Sequence, residues 1–566
     1  MNRKNILSFD PTYYPFSSRR NLIYATNGIV ATSHPLAAQA GLDVLKAGGN
    51  AIDAAVATAI TLTVAEPTSN GIGGDAFTIV WDGKSLHGLN GSGHAPSGIS
   101  AGMLTERGLE EIPAYGWEAV TVPGVPATWY ALSERFGKIP YEKLFEVAVS
   151  YAEAGIPIQP TIGVAWKSAF DHYSKILKGD VYKYWFETFA PGGIYPGIGE
   201  IWKSNGHADT LREIAETKSE SFYRGKLAEK ILDFSRSTGG YMSERDLEDF
   251  RVEWVEPVSV NYRGYDVFEL PPNGQGLVTL MALNILNNFE LGKNQVDSFH
   301  PSTMDIHRMI EAIKLSFADA KEYIADPACM KIDYKKLIEG EYGKRRALQI
   351  GERAAIPESG KPESGGTVYL ATADRYGNMV SYIQSNYMGF GSGLVVPGTG
   401  IALHNRGKNF SLKKGHPNCI APRKRPYHTI IPGFIMKDGR PVGPFGVMGG
   451  FLQPQGQLQL LVNTIDCGLN PQAALDAPRW QWAGERRIIA ESDYDKSILS
   501  ALEELGHEVE VAGEGAFFGR GQVILRLERG REGAKDVIES NADLGGERPV
   551  YCCGTEKRCD SGVASY

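Results

Sequence analysis

Gly365-Gly366-Thr367 ends a polar stretch rich in Pro, Gly and Ser (352–366) and begins an apolar run, TVYLATAD. Threonine is an ordinary strand residue, so its type alone says little. Its setting says more. Glycine lets the backbone approach closely and adopt angles closed to other residues. If the Gly366–Thr367 peptide is cut, Thr367 gains a free α-amine beside its own hydroxyl. That amine can act as general base for the hydroxyl, a recognised way to activate a threonine nucleophile. Attack by the hydroxyl on the preceding carbonyl, an N-to-O acyl shift, makes the cut with the same residue. The chemistry is acyl transfer.

The totals exclude other classes. A net charge of −8, from 58 basic and 66 acidic residues, gives no electrostatic footprint for nucleic acid or an anionic membrane. No HExxH motif or phosphate-binding P-loop is present, so neither a metal nor an organic cofactor is implied. Cys552, Cys553 and Cys559 fit no zinc spacing and read as surface thiols. The longest apolar run, Ala54 to Ala65, is too short to span a bilayer, and the first residues lack a signal-peptide apolar stretch. The expectation is a soluble, cytoplasmic protein with no nucleic-acid or membrane partner.

Helices and strands must position Thr367. TSHPLAAQAGLDVLKAGGN predicts a helix with Ser33 as cap and Pro35 in its first turn. AIDAAVATAITLTVAEP is apolar nearly all round, so its helix should be buried. AFTIVWDGKSLHGLNGSG predicts a hairpin turning at Asp82-Gly83. Residues 126–154, 209–233 and 304–324 predict further helices, and VSVNYRGYDVFEL a strand pair. After the polar stretch, taken as an exposed mobile loop, strands are expected in TVYLATAD, NMVSYIQSNY, GIALHN and HTIIPGFIMKDGRPVGPFGV. Helices follow in QPQGQLQLLVNTIDCG and near Ser497–Leu505. Helices bracketing strands in both halves predict an α+β, four-layer αββα sandwich of largely antiparallel sheets.

Taken together, SHPLAAQAGLDVLKAGGNAIDAAVATAITLTVAEPTSNGIGGDAF, VTVPGVPATWYAL, YRGYDVFELPPNGQG, EAIKLSFADAKEYIADP, the Thr367 segment, FGSG, KRPYHTIIP and GVMGG resemble the gamma-glutamyltranspeptidase family. These are autoprocessed N-terminal-nucleophile hydrolases. The resemblance covers nearly the whole chain; the residues from about Leu544 do not follow the usual family ending. It implies that Thr367 is the nucleophile, with chains 1–366 and 367–566 after cleavage between Gly366 and Thr367. Gly449-Gly450 matches the family's oxyanion pair, where two backbone amides on a tight turn would stabilise the tetrahedral intermediate. Ser385 matches a family threonine that hydrogen-bonds the nucleophile and keeps its hydroxyl.

The residues that read glutamate differ. Where the family has an arginine for the α-carboxylate, this chain has Ser92 in NGSGHAP, with His94 two residues on. His94 could replace the cation when protonated. The family's aspartate for the α-ammonium is Asn409, and its glutamine or glutamate three residues earlier is Arg406. A family asparagine aligns with Tyr387, and the paired serines with His428 and Thr429. Arg406 either faces the pocket, attracting a carboxylate, or lies exposed. A lid found in some relatives is missing between Asn409 and Arg425, which favours hydrolysis and bulky substrates.

The sequence therefore reads as an autoprocessed threonine hydrolase and acyltransferase. Its substrate would be a γ-glutamyl amide such as glutathione, with water or an amine as acceptor. A glutaryl-type, cephalosporin-acylase-like amide is the alternative. Ser411-Leu-Lys-Lys414 offers a distant serine-acylase reading, and a degenerate, unprocessed binding module a non-enzymatic one.

Overall fold

The structure is a computed structural model, which describes residues 20–292, 301–357, 366–513, 518–527 and 549–566. Most of the expected loop at 352–366 and the start of the atypical tail therefore lie outside the described residues.

Two seven-stranded antiparallel sheets face each other. One runs, edge to edge, Gly562–Ser565, Gly28–Thr32, Gly366–Asp374, Met379–Tyr387, Asp75–Trp81, Leu86–Gly91 and Glu253–Val255. The other runs Ile23–Ala25, Val550–Thr555, Arg520–Leu527, Arg440–Met448, Gly433–Lys437, Tyr265–Glu269 and Val258–Tyr262. The sheets meet closely: a Cβ added at Gly446 would lie 2.4 Å from the Tyr369 ring. The fully buried helix Ala51–Ala65 packs on the first sheet. Helices Gly276–Leu286, Thr303–Tyr323 and Gln453–Ile465 share a core with the second. This is the expected αββα sandwich, a single pair of sheets built from both halves of the chain.

The local reading needs four corrections. His34, not Ser33, caps the first helix; its Nδ1 accepts from Leu36 N–H, while Ser33 Oγ donates to buried Glu66 at 2.5 Å. The helical span 209–233 is three helices, Asn205–Glu216, Glu220–Arg224 and Lys226–Ser237. The chain breaks at Lys218 and Ser219, both at positive φ, and at Gly225. GIALHN is no strand but makes only isolated bridges, Ala402 to Val395 and Leu403 to Gly73, next to positive-φ Gly398 and Gly400. The three tail cysteines are buried. Cys552 and Cys553 sit on a strand flanked by neighbours on both sides, so the family-atypical ending is an integral part of the second sheet. Among the described residues no helix is long and apolar enough to cross a membrane.

Candidate active site

Thr367 is the second residue of its strand, and the ladder slips beside it. Gly366 pairs with Tyr387 and Val368 with Gln384, so Ser385 and Asn386 together oppose Thr367. Such a bulge re-aims side chains and locally ends regular pairing. Thr367 Oγ1 donates to Ser385 Oγ at 3.3 Å and accepts from Gln453 Nε2 at 3.3 Å. Gln453 is the first residue of a helix that begins just after Gly449-Gly450, and its Oε1 accepts from Ile431 N–H. Gly449 has φ 140° and Gly450 φ 60°, a turn that side-chain-bearing residues adopt only under strain.

From this turn a closed ring of contacts returns to the nucleophile candidate. Gln275 Nε2 donates to the Gly450 carbonyl at 2.9 Å and to the Thr429 carbonyl at 2.7 Å. Thr429 Oγ1 accepts from Arg406 Nη1 at 2.6 Å. The Arg406 guanidinium lies 4.5 Å over the Tyr387 ring. Tyr387 N–H donates to Ser385 Oγ at 2.7 Å, which closes the ring. Tyr387 sits at φ 75°, a conformation costing an ordinary residue about 1–3 kcal/mol, so its surroundings must hold it there.

Arg406 is fully buried, which removes the exposed alternative. Among the described residues its Nε and Nη2 have no hydrogen-bond partner, so the buried cation holds donors in reserve. Beside it lies a cluster that the sequence reading missed. Asp75, fully buried at the head of its strand, accepts from Gly93 N–H at 3.2 Å and contacts His428 Nε2 at 3.1 Å. His404 Nδ1 lies 3.6 Å from the same carboxylate oxygen. Burial pushes Asp75 up to about 7, against the opposing pull of Arg406. Burial and then Arg406 push His404 down to about 3 and His428 well below its ordinary value. Arg406 itself falls to about 10 through burial, and so stays charged at neutral pH.

Two expected contributors stand apart from this ring. His94 is half-buried, donates from Nδ1 to the Ala95 carbonyl, and is depressed by burial and by Arg425 and Arg423. It is therefore neutral at neutral pH and cannot supply the cation expected of it. Arg425 instead reaches this segment, donating from Nε to the Ser92 carbonyl at 3.0 Å. Asn409 ends the short helical turn Arg406–Asn409; its carbonyl accepts from Asn418, and its Nδ2 is buried with no partner among the described residues. Ser411 lies in a loop, bridged to Cys419, rather than at a helix start.

Asp75, His404, Gln453 and Gln275 were not singled out from the sequence. Asp75 carried a signal: one acid at the head of the otherwise apolar run AFTIVW. His404 was hidden by the strand assigned to GIALHN.

The profile of the gamma-glutamyltranspeptidase family matches residues 37–545. A solved cephalosporin acylase from Bacillus halodurans superposes with a TM-score of 0.90 at 53% identity, covering 99% of this chain and 99% of that chain. The Glutathione hydrolase-like YwrD proenzyme of Bacillus subtilis (strain 168) is 36% identical over 503 residues, 87% of this chain and 93% of its own length. The Glutathione hydrolase proenzyme of the same strain is 32% identical over 512 residues, 85% of each chain. This chain belongs to the gamma-glutamyltranspeptidase family and is an acyltransferase and amide hydrolase of that type.

Proposed function

We propose that the chain is a proenzyme that cuts itself at Gly366–Thr367 and then hydrolyses γ-glutamyl amides such as glutathione. The observation that carries this reading is the Thr367 hydroxyl, held between Ser385 and Gln453 at a strand start beside the Gly449-Gly450 turn. In the uncut chain Thr367 is 3% exposed, so substrate access waits on cleavage. In the first step the hydroxyl oxygen attacks the Gly366 carbonyl carbon and the C–N bond breaks, leaving an ester. The hydroxyl proton passes to the Thr367 nitrogen in that step, which frees the amine; water then hydrolyses the ester, releasing the Gly366 carboxylate and restoring the Thr367 hydroxyl. Chains 1–366 and 367–566 stay together through the shared sheets. In turnover the amine takes the hydroxyl proton as Thr367 Oγ1 attacks the substrate amide. The Gly449 and Gly450 amides receive the oxyanion. The leaving amine departs with a proton, and water or another amine then takes the acyl group from Thr367.

A second reading, a glutaryl-type amide as acyl donor, is favoured by one feature. The position that meets an α-ammonium in the family carries Asn409, and a buried, underbonded Arg406 stands nearby. An unpaired ammonium there would be costly to desolvate, whereas a carboxylate would find a cation.

Denaturing mass spectrometry tests the central claim. The parent should give two chains, the shorter beginning at Thr367. Thr367→Ala should remain a single inactive chain, and Thr367→Ser should still be cut, more slowly. Normal cleavage in Thr367→Ala would sink the assignment.

A further inference from the structure

The hydrogen bonds around Asp75 fix where most of the protons lie. A carbonyl oxygen only accepts, so the 3.0 Å contact between His404 Nε2 and the Thr121 carbonyl places a proton on Nε2, and the Thr121 hydroxyl oxygen, 3.1 Å from the same nitrogen, then shares that proton as a second acceptor. Neutral His404 then presents a bare Nδ1 to Asp75 Oδ2. Ile430 N–H donates to His428 Nδ1, so His428 carries its proton on Nε2 and gives it to that same Asp75 oxygen. A bare nitrogen facing a bare carboxylate oxygen is repulsive. One added proton between them turns the repulsion into attraction. The remaining groups facing Asp75 supply none. Arg406 keeps its own, Arg425 acts on Asp75 only as a further cation, the Gly93 and Gly124 amides are fixed, and Tyr223 donates its hydroxyl proton to the Pro123 carbonyl.

We infer that Asp75 and His404 share an exchangeable proton that sets the net charge beside Arg406, and that Asp75 thereby decides between dicarboxylic and amine-bearing acyl donors. The inference rests on the reading that the donor's far end meets Arg406. With the proton in place the cluster carries Arg406's single positive charge, and its two unpartnered N–H groups can grip a carboxylate. Without it Asp75 neutralises Arg406, the pull on an anion fades, and an ammonium is no longer repelled. Burial places the change near neutral pH, on Asp75 rather than on either imidazole.

The test compares kcat/KM for glutaryl and γ-glutamyl p-nitroanilides from pH 5.5 to 8.5, in the processed parent and in Asp75→Asn. The ratio cancels any ionisation of the Thr367 amine common to both donors. Glutaryl preference should fall about tenfold through pH ~7 in the parent, the effect of roughly one unit of coupling. In Asp75→Asn it should stay flat at the acid-side value; titration of the substrate amine would bend both curves alike. A flat parent ratio, or the same bend in Asp75→Asn, overturns the inference. Infrared difference spectroscopy of the parent between pH 5.5 and 8.5 follows the proton without substrate or variant. Loss of a protonated-carboxyl band through pH ~7 supports the inference, and an unchanged spectrum overturns it. Turnover of neither donor by correctly cut enzyme defeats the substrate reading itself, and the infrared result still decides the proton.

Discussion

Two buried clusters in this protein each gather two imidazoles, a carboxylate and a cation, yet they are bonded in different ways. One is Asp75, His404, His428 and Arg406. The other is His307, Glu311 and Lys314 on the helix Thr303–Tyr323, together with His507. In the second, Lys314 Nζ donates to Glu311 Oε1 at 2.7 Å and to the Ala355 carbonyl at 2.8 Å. Glu311 Oε2 accepts from Ala355 N–H. His307 Nε2 donates to the Gly351 carbonyl, and His507 Nε2 must then donate to His307 Nδ1, at 2.8 Å. These bonds pin residues 351–355, which precede the proposed cut site in the chain, against a helix and against the later half of the chain. The His307, Glu311 and His507 ligand atoms lie within 4.8 Å of one another, but Lys314 already meets the carboxylate that a metal ion would need. The anchor spends its charge and its donors on itself. Among the described residues each cluster leaves one imidazole lone pair unspent, but the site cluster also leaves Arg406 Nε and Nη2 unspent, and buried donors left in that state call for a functional explanation.

The largest expected effect breaks the anchor. Lys314→Met leaves Glu311 buried without its cation, a loss of about 3–5 kcal/mol. Denaturant unfolding should show it, while kcat/KM of the folded fraction stays near the parent's. A fall in kcat/KM with stability intact would mean that the two clusters have been assigned the wrong way round.

Arg406→Met is the converse. Losing charge-assisted bonds to an anionic donor costs about 1.5–3 kcal/mol, roughly one to two decades in kcat/KM. At pH 5.5, where Asp75 holds its proton, the thermal midpoint should hold or rise, because an underbonded buried cation is gone. If stability collapses and kcat/KM holds, Arg406 belongs to the scaffold.

That contrast also marks what the sequence could reveal. The strand start at Thr367 was legible because a β-branched run directly after two glycines is a local pattern, and pattern survives in one dimension. The buried helix Ala51–Ala65 and the Asp82-Gly83 hairpin were legible for the same reason. The burial of Arg406 was not, since a charged residue among asparagine, glycine and lysine reads the same whether it faces solvent or core. Asp75 gains its chemistry from His404 and His428, more than 300 residues away, and no spacing announces that meeting. The tail cysteines misled because polar neighbours such as Glu556 and Arg558 look exposed, although buried ion pairs satisfy them.

A third test uses pH. Burial, then Lys314 and His307, push His507 down to about 3, from an ordinary value near 6.5. As pH falls below ~6.5 the unfolded chain takes up a proton that the folded chain refuses, so stability is lost progressively down to about pH 3. At about 1.4 kcal/mol per pH unit, this one group costs roughly 2–3 kcal/mol between pH 6.5 and 4.5. His507→Gln should flatten the acid limb of the stability curve by that amount. An unchanged limb would place the proton uptake on the other depressed histidines, such as His34 and His207.

The smallest expected effect separates the hydroxyl of Ser385 from its shape. Ser385 Oγ takes the Tyr387 N–H at 2.7 Å as well as the Thr367 hydroxyl. Ser385→Ala removes that acceptor beside a backbone already in the left-handed region, a penalty of about 1–3 kcal/mol, and takes one hydrogen-bond partner from the Thr367 hydroxyl. Processing and turnover should both slow by about tenfold or more, since each 1.4 kcal/mol is a decade. Ser385→Thr keeps the oxygen and adds one methyl group. Beside the bulge the added group costs under about 1.5 kcal/mol if the neighbours give slightly. Cleavage timed by gel and turnover of the mature enzyme should then lie within about tenfold of the parent. The anchor offers the matching control for turnover, because Lys314→Met should leave the rate of the mature enzyme untouched. If Ser385→Ala and Ser385→Thr slow processing equally, shape rather than the hydroxyl holds Thr367, and the ring of contacts around Thr367 is scaffold at that point.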